Sequence, residues 1–234
     1  MKTHTLASAA LAALLGLAGS LPAQAAETES AMARGGRLYD KYFGENKTAK
    51  PDTDHAAYPK GGKYVKDASW RCKECHGWDY RGKDGAYGKG GHATGIVGVR
   101  GAAGKDPAAI VAIMKDATHG YTDKQLSAKD MTDLSLFISK GQIDVAKYVD
   151  GSNKAKGNAA KGEGYFNTIC AGCHGLDGKK VKDGPALGSV ADNGAEMIHK
   201  ILNGQPGEGM PALRMLDTQV AADIATYMTS LPKQ

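Results

Sequence analysis

Long apolar runs are missing from this sequence after its first twenty residues, and large aromatics are thin, with three Phe and two Trp among 234 residues. A β-sandwich, whose two sheets share a broad apolar core, is poorly served by such a composition. No segment beyond residue 17 approaches the roughly 20 apolar residues that a spanning helix needs. Clustered positive charge is lacking too: 30 Lys and Arg stand among 25 Asp and Glu for a formal charge of +5, and the lysines are scattered among acids. That pattern excludes the basic, aromatic-studded face of a nucleic-acid partner. Cysteine is scarce, with four in the whole chain.

What is present begins with an address. Lys2 is followed by an Ala/Leu run over residues 6–17 and by Ala23-Gln24-Ala25, an A-x-A site for cleavage before Ala26. Residues 1–25 are therefore expected to be a signal peptide. The mature chain would be exported, without a membrane span, and periplasmic. Glycine is abundant at 32 copies, so each half of the chain needs something bulky to fill its core.

The cysteines say what that filler is. All four lie in two copies of one motif, Cys72-Lys73-Glu74-Cys75-His76 and Cys170-Ala171-Gly172-Cys173-His174. Cysteines at i and i+3 of a helical turn present both sulfurs to one side, where they form thioethers with the vinyl groups of a haem, and the next His offers its imidazole to the iron. Disulfides would not require a His after each second cysteine. A zinc ribbon pairs its knuckles over a short spacer, and a thioredoxin-like motif needs a βαβ setting. Two covalently bound haem c groups are expected, on Cys72 and Cys75 with His76, and on Cys170 and Cys173 with His174. Their propionates would bring the +5 charge near neutral.

The halves overlay around these motifs. Gly35-Gly36-Arg37-Leu38-Tyr39 and Gly162-Glu163-Gly164-Tyr165-Phe166 each read as the small-plus-aromatic face of a packing helix, and in the first half an inserted loop, 43–70, follows. After the motifs, residues 89–97 align with 182–190, so that His92 takes the place of Pro185. Asp106 with Pro107 opens one helix and residues 195–202 form another. Ser127 with Asp130 caps a closing helix that stops at Gly141, and Asp217 caps its counterpart. The expected organisation is a first domain at 26–141, a linker at 142–161 and a second domain at 162–234, all of it α-helical.

On the motif, Gly184-Pro185, Gly209-Met210-Pro211 and the helix after Asp217, the second half resembles a class I cytochrome c domain. The whole chain is similar to bacterial dihaem cytochromes with two such domains in tandem, closely over 157–234 and more loosely over 34–141. The resemblance implies an N-terminal helix crossing the C-terminal one with the haem in the cleft. It also implies that the turn at Pro185 packs on the proximal imidazole and that a nearby carbonyl accepts its Nδ1 proton, which puts His92 on the proximal side.

For the second iron the distal candidate is Met210, on a loop loosened by Gly209 and stiffened by Pro211, with Met215 as its rival. The first half has no Met-Pro loop. His119, in Thr118-His119-Gly120-Tyr121, falls in the corresponding place, and a neutral imidazole is a good iron ligand. Met114, Met131 and His55 are the other candidates, and an open five-coordinate iron is the further alternative. The function expected is transfer of single electrons between a redox donor and an acceptor that dock transiently, helped by Arg81, Lys83, Lys179, Lys180 and Lys182, rather than enzymatic catalysis. The alternatives are a haem subunit of a periplasmic dehydrogenase, an enzyme with an open first haem, and an inserted loop that docks a dedicated partner.

Overall fold

The computed structural model describes residues 20–234, so most of the expected signal peptide, including the apolar run at 6–17, lies outside the described residues. The described residues form helices and irregular chain with no strands, only two isolated bridges, Gly82 with Val97 and Val149 with Ala155. None of these helices is long and apolar enough to cross a membrane.

Helix α1, Ser20–Glu45, is broken near its end by the extended backbone of Lys41. It continues past Phe43, so the irregular insertion begins at residue 46. The first motif forms a one-turn helix, α2 (Cys72–His76). Helix α3 (Pro107–Met114) starts as expected, with the Asp106 side chain accepting from the Ala108 amide. Helix α4 (Ala128–Leu136) starts at the reciprocal Ser127–Asp130 capping box. It widens at its end into a π-turn, Phe137–Gly141.

The second half repeats the plan. Helix α5 (Ala159–Tyr165) is capped by Asn158, which ends the linker three residues before its expected limit. It widens into a π-turn, Phe166–Cys170, that runs straight into α6 (Ala171–His174). After the short α7 (Leu187–Val190) come α8 (Gly194–Asn203) and α9 (Thr218–Met228), the last capped by Asp217.

Two apolar clusters result. One gathers Leu38, Tyr39, Tyr80, Leu134 and Phe137, and the other Phe166, Ile198, Ile201, Ala222 and Ile224. In each, a glycine lets the opening helix meet the closing one. A Cβ on Gly35 would collide with the Asp133 carbonyl and Phe137, and one on Gly162 with the Asp223 carbonyl and Tyr227. Gly36, the next residue, turns instead to the second half, where a Cβ would strike Asn203.

The halves are joined by a buried polar seam. Lys200 of α8 reaches Asp40 of α1 at 2.6 Å, and Arg71 pairs with the same carboxylate. Burial raises the Asp40 pKa, but Lys200 and Arg71 outweigh it and hold the group down at about 2. Arg37 donates to the Asn203 carbonyl at 2.8 Å.

Candidate functional site

Each motif closes on a glycine that only a residue without a Cβ accommodates: Gly77 has φ 78° and Gly175 φ 77°, each with its amide bonded back to the motif, to Lys73 and Ala171. The carbonyl of each motif histidine then accepts an amide from the returning chain. Gly82 donates to His76 at 2.9 Å, and Lys180 donates to His174 at 2.9 Å. The two turns are therefore built alike. Tyr39 of α1 ties the first of them down by donating its hydroxyl to the Gly77 carbonyl at 2.7 Å.

Burial pushes the Cys72 and Cys170 thiols up to about 11 and Cys75 to about 12, which keeps them protonated. The His76 pKa is lowered, first by burial and then by the neighbouring His119 and His55, while burial alone lowers that of His174. Both imidazoles are neutral at pH 7, the form that binds a metal.

His76 donates from Nδ1 to the Val97 carbonyl at 2.7 Å, which leaves Nε2 for a ligand bond. Across from it stands His119, with ring centres 6.3 Å apart and planes 23° from parallel. With metal–imidazole bonds of about 2 Å, two imidazoles sharing one iron would have their ring centres about 6 Å apart. His119 Nδ1 faces Asp116 at 3.2 Å, so Nε2 is again the nitrogen left over. For the second motif, Cys170, Cys173 and His174 share one turn. Met210 lies on a separate loop, half-buried against the second apolar cluster in a groove it shares with Ala33 and Arg37 of α1. Its rival Met215 is 69% exposed.

The other candidate ligands are occupied. His92 stacks on Tyr87 and Tyr64, facing the Tyr64 hydroxyl at 2.8 Å and Glu74 at 3.1 Å. His55 accepts from the Ala57 amide and donates to the His119 carbonyl. Met114 and Met131 are buried in the first apolar cluster. The structure also corrects the alignment of His92 with Pro185. The bonds from the Arg100 amide to Tyr80 and from the Leu187 amide to Gly178 mark the same chain return. It is Val97 and Gly98, beyond His92, that stand where Gly184 and Pro185 stand. Of the expected steering charges, Lys83 pairs with its neighbour Asp84, Lys179 faces Asp177, and Lys180 donates to the Gly172 carbonyl.

The residues present fit a haem at each motif: two thiols and a neutral imidazole on one turn, with apolar side chains beside them. Among the described residues, Ile169, Leu176 and Val181 stand exposed beside the second motif in sequence, Met215 and Leu216 beside the Met210 loop, and Val97, whose carbonyl receives His76 Nδ1, does so at the first. Apolar surface left open in this way is what a bound macrocycle would cover.

Residues 157–228, from just before α5 to the end of α9, match the family model of cytochrome c oxidase, cbb3-type, subunit III. The match supports a c-type cytochrome domain over these residues. The match takes in the second motif and Met210. A cytochrome c domain implies a covalently bound haem c and haem-based electron transfer. Comparisons with curated proteins and with solved structures returned no match.

Sequence reasoning missed Asp116 at the first site, and His199 and Asn203 in the seam, where His199 faces the Gly36 carbonyl at 2.9 Å. Asp116 could have been read from its place three before His119. His199 and Asn203 could have been read from the i, i+4, i+8 row they form with Ala195, a second face of α8.

Proposed function

We propose that the chain is an exported, periplasmic dihaem c-type cytochrome, two cytochrome c domains in tandem, which carries single electrons between a donor and an acceptor protein that dock transiently. The observation that carries this reading is the likeness of the two motif turns, since the first half builds around Cys72, Cys75 and His76 the turn that the cytochrome c domain builds around Cys170, Cys173 and His174.

When bound, each haem supplies a one-electron iron couple. The chain's own residues hold and tune it. Cys72 with Cys75 and Cys170 with Cys173 would attach it, and His76 and His174 would ligate its iron. His119 would be the further ligand of the first iron and Met210 that of the second. A thioether donates less charge than an imidazole and favours ferrous iron, so the second site would have the higher potential of the two. The imidazole of His119 opposite His76 favours a filled sixth position over an open, enzymatic first haem.

The test is a haem count with a spectrum. The mature protein is expected to carry two haems by mass, and replacing Cys72 and Cys75 by Ala is expected to remove one. Ferric protein with both irons low-spin and slow to bind cyanide supports the carrier. A single haem per chain, or an iron that binds cyanide at once, overturns it.

A further inference from the structure

We propose that Asp116 and His55 are positioning residues for His119, one fixing its ring and lowering the potential of the first haem, the other bracing its backbone from the inserted segment. The inference rests on the reading of His119 as a distal ligand.

Asp116 follows the end of α3, and one of its oxygens, Oδ1, serves three donors: the amides of Thr118 and His119, both at 2.9 Å, and His119 Nδ1 at 3.2 Å. The two amide bonds curl residues 116–119 into a tight turn and bring the ring over its own anchor. An ionised carboxylate can only accept, so Nδ1 carries the proton and Nε2 keeps its lone pair. Carboxylates placed behind ligating imidazoles orient them and make them stronger donors. His76 differs here, because its Nδ1 faces a neutral carbonyl, that of Val97. The two imidazoles are thus unequally tuned, and the more electron-rich one belongs to the loop that the second half replaces with Gly209-Met210-Pro211.

His55 holds the same loop from behind. It is 7% exposed, its ring edge-on to Trp70 with centres 4.5 Å apart, and its amide donates to Ser69 Oγ at 2.9 Å. Because Nδ1 accepts from the Ala57 amide at 3.1 Å, Nε2 carries the proton and donates it to the His119 carbonyl at 3.0 Å. Two residues further on, the Tyr121 hydroxyl donates to the Trp70 carbonyl at 2.9 Å. His119-Gly120-Tyr121 is therefore pinned at both ends by the inserted segment. That segment braces a ligand loop that has no proline of its own to stiffen it.

The test uses the full, haem-loaded chain and reads each haem's midpoint potential, its low-spin signal and its cyanide binding. In Asp116→Asn the first haem is expected to stay low-spin while its potential rises and its g values shift, with the second haem unmoved. In His55→Leu cyanide binding at the first haem is expected to quicken at least tenfold, and His55→Gln, which keeps a donor, is expected to restore the slow rate. If these variants leave the first haem as in the wild type while His119→Ala turns it high-spin, the positioning role is refuted and the ligand stands. If His119→Ala leaves the first haem unchanged, the ligand assignment falls and takes the positioning role with it.

Discussion

Tyr80 and His199, 119 residues apart, meet at 3.1 Å in the buried seam between the two halves, the tyrosine hydroxyl donating to Nδ1 while Nε2 donates to the Gly36 carbonyl at 2.9 Å. Trp78, Tyr39 and Phe137 surround the imidazole. Burial pushes its pKa down to about 4. Between that value and the ordinary 6.5 the unfolded chain binds the proton more readily than the folded one, so stability falls as the pH drops from 6.5 to 4. Thermal unfolding across this range should show the loss, with a slope of at most about 1.4 kcal/mol per pH unit. His199→Gln should flatten it. Equal slopes in both proteins would show that the seam does not sense acid through this residue.

Asp40 answers to a lower window. Held at about 2 by Lys200 and Arg71, it contributes stability above the usual carboxylate pKa that is lost as the pH falls from about 4 towards 2. Asp40→Asn at neutral pH leaves two cations without their shared partner, and about 3 kcal/mol should be lost in urea unfolding. A loss below about 1 kcal/mol, the worth of a surface pair, would mean that the carboxylate does not hold the seam.

Glycines of the opening helices should respond in opposite directions according to what a Cβ would meet. Gly35→Ala and Gly162→Ala push a methyl into a carbonyl at the helix crossings and should each cost about 1–3 kcal/mol. Gly164→Ala, two residues from the second crossing and facing open space, should gain about 0.5–1 kcal/mol from helix propensity. The shift of the denaturation midpoint in each variant is the measurement.

Redox titration of the whole protein should resolve two waves, the lower belonging to the first haem. Met210→Ala should abolish the sulfur-to-iron charge-transfer band and lower the potential of the second haem alone. Loss of the band in Met215→Ala instead would transfer the ligand to that residue.

The helix starts were legible because each is written locally: Asp106 before Pro107, Ser127 three before Asp130, and Asp217 all cap the helices they announce. The two Cys-x-x-Cys-His turns were legible for the same reason. What lies between the halves was not. Gly35-Gly36 reads as one small face, yet Gly35 meets α4 and Gly36 meets α8, two crossings that only the assembled chain separates. His55 read as a ligand candidate because its type suits iron, and only the folded chain shows both its ring nitrogens bonded, to the Ala57 amide and the His119 carbonyl. His92 was misplaced because the first half returns along a longer path before Val97.

The two middle residues of the motifs live in different surroundings. Lys73 is 6% exposed and Glu74 1%, with Lys73 and Lys200 both lying over Trp78 beside α8, whereas Gly172 and Cys173 of the second motif are open to solvent. In the two-haem reading the molecule thus has a back and a front. The outside of the first motif is covered by Tyr64, Trp78 and His92 of its own half, and a visiting protein could rest directly on the second. Traffic within the chain and traffic out of it would use separate doors.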